Sequence, residues 1–167
     1  MTTPPSLLPD DVTAAAEMVV ARNRAAGRII AVAESCTGGL VSAAITEIAG
    51  SSAVLDRGFV TYSNEAKREL LGVSAEILDA FGAVSVATAW AMAQGALKHS
   101  GADVAVAISG IAGPDGGSPQ RPVGTVVFAR ATRGSEEVVA EERHFDPASR
   151  AEVRRQATLV ALDLLLP

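Results

Sequence analysis

Residues 103–109, DVAVAIS, are apolar at almost every position and carry no alternating polar residues that water would solvate. A strand of that kind has to be covered on both faces, because a strand with one wet face alternates apolar and polar residues. This requirement sets the fold class: a sheet with helices above and below it. The run also ends in a conspicuous segment, residues 110–124 (GIAGPDGGSPQRPVG), which holds five of the chain's fifteen glycines and three of its eight prolines. Such a density of backbone-shaping residues reads as a shaped loop at a strand end within one domain.

The rest of the chain supplies the covering layers. Pro4, Pro5 and Pro9 mark residues 1–9 as a loose leader, and Asp10 or Asp11 is placed to cap a helix running to about Ala26, ahead of Gly27. Residues 28–33 (RIIAVA) read as a strand, 38–50 as a helix after a glycine turn, and 53–62 as a second strand. A short helix follows over 64–71, stopped by Gly72, and Ser85 caps a longer one to about His99. Beyond the loop, 125–131 and 137–145 read as strands. Asp146 before Pro147 predicts the start of a last helix that runs nearly to the end. The expectation is a single α/β domain of three layers, α/β/α, around a mostly apolar mixed central sheet.

Charge and composition narrow the function. A net charge of −5 over 167 residues, with no cluster of Lys and Arg, argues against a nucleic-acid partner. One cysteine, Cys36, forms no internal disulfide, and one Cys with two His cannot close a structural zinc site. The N-terminus has no signal-peptide pattern, and no apolar run reaches the ~18 residues of a membrane span. A cytoplasmic protein without membrane attachment is expected.

Chemistry is expected where a buried strand gives way to a glycine-supported turn, as at residues 33–39, AESCTGG. Ser35 sits at the bend. If a helix opens there, the N–H groups near Thr37, Gly38 and Gly39 face the Ser35 hydroxyl and suit an oxyanion, a pairing made for acyl transfer. Ser35 or Thr37 is equally eligible as a plain helix cap. Cys36 is a second candidate nucleophile, although a lone cysteine is more often a small buried side chain.

A serine nucleophile needs a base. No Gly-x-Ser-x-Gly elbow is present, and His99 and His144 fall at element ends, where surface or capping roles are ordinary. Lysine replaces histidine where burial or positive neighbours lower its pKa. Of the two lysines, Lys98 ends a helix, whereas Lys67 follows the polar segment 61–65, TYSNE; Lys67 is the better candidate, against the bland reading of a solvated surface lysine. Ser63, four residues before Lys67, competes with Ser35 as its partner or acts as a cap.

Several blocks occur in order from about Asp10 to Leu166: AESCTGG (33–39), AGSS (49–52), GFVTYSNEAKRELLGV (58–73), GAVS (82–85), SGIAGPDGG (109–117) and PVGTV (122–126). Together they resemble the CinA C-terminal domain family, which includes stand-alone nicotinamide-nucleotide amidases. The resemblance implies hydrolysis of the carboxamide of nicotinamide mononucleotide to nicotinate mononucleotide and ammonia, with no metal and no cofactor. It implies Ser35 as nucleophile, Lys67 as general base and Tyr62 as a residue that orients or protonates groups in the site. Many members carry a further N-terminal domain similar to molybdopterin-binding proteins, and no activity of that domain is expected here.

For that substrate's ribose phosphate, residues 110–117 offer backbone N–H groups as an anion nest, with Gly110, Gly113 and the preceding Ser109 as candidates, although a plain turn is the alternative. The segment lacks the Walker pattern, so ATP use is unsupported. Arg150 and Arg154 share a helix face, where the family also has arginines, so that one pairs with phosphate while the other holds a carboxylate or the helix surface. The alternatives are a hydrolase of another small amide and a non-catalytic nucleotide-binding module with Lys67 as counter-ion. Alanine-rich helices are compatible with a homo-oligomer.

Overall fold

The computed structural model describes residues 5–167. Its elements are α1 (Asp10–Ala26), β1 (Ile30–Glu34), α2 (Leu40–Thr46), β2 (Leu55–Val60), α3 (Asn64–Leu71), α4 (Ala75–Phe81), α5 (Val86–Lys98), β3 (Val104–Gly110), β4 (Thr125–Thr132), β5 (Val139–His144) and α6 (Arg150–Leu164). The strands form one sheet in the order β2-β1-β3-β4-β5. The β1 strand pairs in parallel with β2 and β3, while β3–β4 and β4–β5 are antiparallel, so the sheet is mixed as expected. No helix among the described residues is long and apolar enough to cross a membrane.

Strand pleating sends alternate residues to opposite faces, and the two faces differ in kind. Ile30, Val32, Val106, Ile108, Val126 and Phe128 pack with α1, α2 and α6. Ala31, Ala33, Ala105, Ala107, Ala129 and Ala131 pack on the other side with Leu71, Leu78 and the α5 residues Ala89, Met92, Ala93 and Ala96. Small side chains on both partners bring α5 close to the sheet. Gly95 carries the same economy outward, since a Cβ there would run into the Leu71 carbonyl.

Several boundaries move for physical reasons. The first helix has no side-chain cap: Pro9 occupies the cap position, and Asp10 and Asp11 lie in the first turn, where their charge suits the helix dipole. The helix expected over 38–50 is shorter, because Gly38 and Gly39 hold left-handed backbone (φ 58 and 101) and delay its start to Leu40. The last helix begins at Arg150, capped by Ser149, whose hydroxyl accepts from Glu152 N at 3.0 Å, and not at Asp146. The α4 helix was not foreseen; Ser74 caps it by accepting from Ile77 N and Gly82 ends it. Of the expected leader, residues 1–4 lie outside the described residues, while Leu8 packs on the core and Ser6 Oγ shares a hydrogen bond with Thr13 Oγ1, so this part is docked rather than loose.

Candidate active site

Because β1 and β3 run parallel in register, with Glu34 beside Ile108, their C-terminal ends deliver two connections to one edge of the sheet. The Ser35 N–H donates to the Ile108 carbonyl at 2.9 Å, extending the pairing one residue past β1 and fixing where Ser35 stands. The chain then turns sharply, closed by Gly38 N–H on the Ser35 carbonyl at 3.0 Å.

Two further groups hold this turn. The fully buried Glu34 carboxylate accepts from Val41 N (2.9 Å), Ser42 N (3.1 Å) and Ser42 Oγ (2.8 Å), capping the open end of α2 from the residue before Ser35. From the other side, Arg154 donates through Nε to the Cys36 carbonyl (3.1 Å) and through Nη2 to the Thr37 carbonyl (3.2 Å). Gly58 on β2 leaves the room that the Ser42 hydroxyl needs, since a Cβ would occupy it.

Lys67 reaches the same point from α3. Ser63 caps that helix by accepting from Ala66 N at 3.0 Å, the cap role weighed for it in the sequence. Lys67 is 1% exposed, and its Nζ donates to Ser35 Oγ at 3.0 Å and to the Thr61 carbonyl at 2.8 Å. Burial pushes its pKa below the ordinary lysine value, because an ammonium loses hydration there. The neighbouring Cys36 goes the other way: burial pushes its thiol up to about 12, leaving it protonated and a poor nucleophile at neutral pH.

Ser35 and Lys67 open into a cavity of about 300 Å³ whose walls include Cys36, Tyr62, Arg150, Ala83 and Val84, residues 109–113 and residues 115–117. Tyr62 stands largely exposed at its mouth and accepts from Arg150 Nη2 at 3.1 Å, while Arg150 Nη1 donates to the Gly113 carbonyl at 2.7 Å. Ser109 lines the wall, its hydroxyl donating to the Ala83 carbonyl at 2.8 Å. A larger groove of about 470 Å³ lies outside α3 around Glu65, Arg68 and Glu69, and neither Ser35 nor Lys67 lines it.

The structure thus brings Ser35, Lys67, Tyr62, Ser109, Gly110, Gly113 and Arg150 to one cavity. Thr37, Gly38, Gly39 and Arg154 are not among its walls; they build the turn from behind. The Gly38 N–H, expected to face an oxyanion, is occupied by the Ser35 carbonyl, whereas those of Cys36, Thr37 and Gly39 donate to no partner among the described residues. Gly110 is pressed against β4, where a Cβ would lie 2.8 Å from Val126 Cγ2 and 3.1 Å from Cys36 Sγ. Sequence reasoning passed over Glu34, although an acid ending an apolar strand beside a glycine turn was a visible signal. It also passed over Thr61, whose contribution is a carbonyl that every residue type has.

With this geometry in place, the comparisons with known proteins are specific. The profile of the CinA C-terminal domain matches residues 12–167. The chain is 56% identical over 142 residues to the nicotinamide-nucleotide amidohydrolase PncC of Escherichia coli strain K12, covering 85% of each protein. It is 65% identical over 108 residues to a competence-damage-inducible-type protein of Symbiobacterium thermophilum, but there it spans only 25% of the relative's length. In three dimensions it superposes on the crystal structure of the competence/damage inducible protein CihA from Agrobacterium tumefaciens with a TM-score of 0.93 and 49% identity, covering 96% of this chain and 97% of that one.

Proposed function

The chain belongs to the CinA C-terminal domain family, and from that premise we propose that it hydrolyses the carboxamide of nicotinamide mononucleotide, releasing nicotinate mononucleotide and ammonia through an acyl-enzyme on Ser35. The substrate comes from the name of the PncC relatives, which match over most of their length. The observation that carries the mechanism is Lys67 Nζ, buried and 3.0 Å from Ser35 Oγ.

Neutral Lys67 takes the Ser35 proton as Oγ attacks the amide carbon. The oxyanion gathers on the side of the turn, where Cys36 both lines the cavity and has an unengaged N–H. The Lys67 ammonium then protonates the departing nitrogen, the C–N bond breaks and ammonia leaves. Water enters, gives a proton to Lys67 and attacks the ester carbonyl; Ser35 recovers its proton as the acid departs. Tyr62, held by Arg150, orients the ring end of the substrate at the mouth. A binding-only role with Lys67 as counter-ion gains no support from a lysine whose ammonium is destabilised by burial.

The test is ammonia release from nicotinamide mononucleotide by wild type, Ser35→Ala and Lys67→Ala, each checked for folding by circular dichroism. Both variants are expected to lose at least about 10³-fold in kcat. Because the neutral amine is the working form, wild-type kcat/KM should rise with pH through the lowered pKa of Lys67 and fall away below it. An active Ser35→Ala would remove Ser35 as nucleophile, and a wild type that cleaves only some other small amide would reassign the substrate.

A further inference from the structure

An arginine whose hydrogen bonds are unmade stands beside the cavity, and the mechanism above does not use it. Five arginines are half-buried: Arg28, Arg121, Arg130, Arg154 and Arg155. Four of them donate from the guanidinium to named acceptors, Arg28 to Asn23 and Leu165, Arg130 to Leu164, Arg154 to Cys36 and Thr37, and Arg155 to Glu152 and Asp11. The Arg121 guanidinium makes no hydrogen bond and no ion pair to any described residue. A guanidinium has five N–H donors and is always charged, so one that no protein acceptor engages is free to take up an anionic ligand.

Its place identifies the partner's chemistry. Arg121 leaves the same loop that forms the cavity rim, and its backbone is tied down: Ser118 N donates to the Arg121 carbonyl at 2.9 Å and Arg121 N to Ser118 Oγ at 3.1 Å. From this base the side chain reaches toward the end of α4, where Nη1 lies 3.3 Å from the position a Cβ on Gly82 would take. The next residues, Ala83 and Val84, are cavity wall. Across the mouth, Arg150 already donates from both terminal nitrogens, to Gly113 and to Tyr62, so an anion engaging it competes with bonds already made. Arg121 is not itself among the cavity walls; the other charged side chain on the rim is Asp115, which repels an anion and leaves the uncommitted cation beside Gly82 the more consequential. On the rim, the N–H of the buried Gly113 also has no partner among the described residues and suits an anion.

We infer that Arg121 is a specificity-determining residue that holds the 5′-phosphate of the nucleotide substrate when the carboxamide lies at Ser35. This rests on the amidase reading for its substrate, since amide and phosphate stand at opposite ends of the mononucleotide. Arg150 then serves to brace the loop and Tyr62, and Arg154 to hold the turn, in place of the phosphate roles that their shared helix face allowed.

The test combines kinetics with a ligand that cannot be hydrolysed. KM and kcat for nicotinamide mononucleotide are measured for wild type, Arg121→Gln and Arg121→Lys, and the binding of ribose 5-phosphate to the same three proteins is followed by calorimetry. Arg121→Gln should raise KM about tenfold or more and weaken ribose 5-phosphate by a similar factor, with kcat changed less, and Arg121→Lys should recover part of both because it restores the charge without the fork. An Arg121→Gln enzyme whose KM stays within about twofold of wild type overturns the assignment. If wild type fails to hydrolyse the mononucleotide, the amidase reading falls and binding alone decides: ribose 5-phosphate held equally by wild type and Arg121→Gln, or by neither, overturns the role of Arg121, whereas a loss confined to the variants upholds its phosphate contact.

Discussion

Two glycine-bearing connections leave neighbouring parallel strands at one edge of the sheet and are built in opposite ways. The turn after β1 is buried from Ser35 to Thr37 and fixed from three directions: the Glu34 carboxylate on α2, Arg154 on the Cys36 and Thr37 carbonyls, and Ser35 N–H on β3. The loop after β3 is exposed from Pro114 to Gln120 and is fastened mainly at its limbs, by Gly124 N to the Ile111 carbonyl (2.8 Å), by the Ser118–Arg121 turn, and by Arg150 on Gly113. Bond making between a hydroxyl and an amide carbon depends steeply on position, whereas gripping the polar end of a ligand tolerates a mobile partner. The rigid turn therefore should govern turnover and the looser loop affinity.

The sharpest way to break that contrast is Glu34→Gln. The amide keeps the shape of the carboxylate but offers one acceptor oxygen to three donors, so the α2 start and the adjacent Ser35 lose part of their anchor. A fall of about 10- to 100-fold in kcat is expected with KM changed by no more than about threefold. If kcat holds, the fixed position of Ser35 does not depend on this carboxylate.

A smaller effect of the opposite kind is expected at the loop. Arg150→Ala frees the Gly113 carbonyl and the Tyr62 hydroxyl together. KM should rise about fivefold, the worth of one ordinary hydrogen bond, while kcat moves less. A loss confined to kcat would place Arg150 with the reacting groups instead.

The smallest change concerns Thr37, whose Oγ1 is the buried side-chain polar atom without a hydrogen-bond partner among the described residues. Thr37→Val replaces it with a methyl of nearly the same shape. The variant should gain about 1 kcal/mol, seen as a rise of about 2–4 °C in Tm, with activity within about twofold of wild type. A marked loss of activity at unchanged stability would return Thr37 to the substrate-binding set.

What could be read from the residues depended on where each interaction lies along the chain. The apolar pattern of residues 103–109 was enough for a covered central strand, and the turn at Ser35 and the choice of Lys67 over Lys98 followed from local composition. The division between Arg150 and Arg154 was not legible: both share a helix face, but one meets the loop after β3 and the other the turn after β1, a difference that only the packing of α6 creates. The α2 boundary failed for a local reason, since adjacent glycines in left-handed backbone postpone a helix whose apolar pattern begins earlier. Glu34 escaped notice because its donors, Val41 and Ser42, offer backbone N–H groups that carry no residue signature.

The second acceptor of Lys67 bears on the role of base proposed for it. In a serine–histidine pair the orienting partner behind the base is a carboxylate, which steadies the cation formed during attack. Here that position belongs to the Thr61 carbonyl, at 2.8 Å from Nζ. A carboxylate would hold the lysine as a resting ammonium with no lone pair to offer, whereas a peptide dipole directs the amine without demanding its charge. An uncharged backbone oxygen in that place adds no charge to hold the proton, and so leaves the lowering of the Lys67 pKa by burial unopposed from this side.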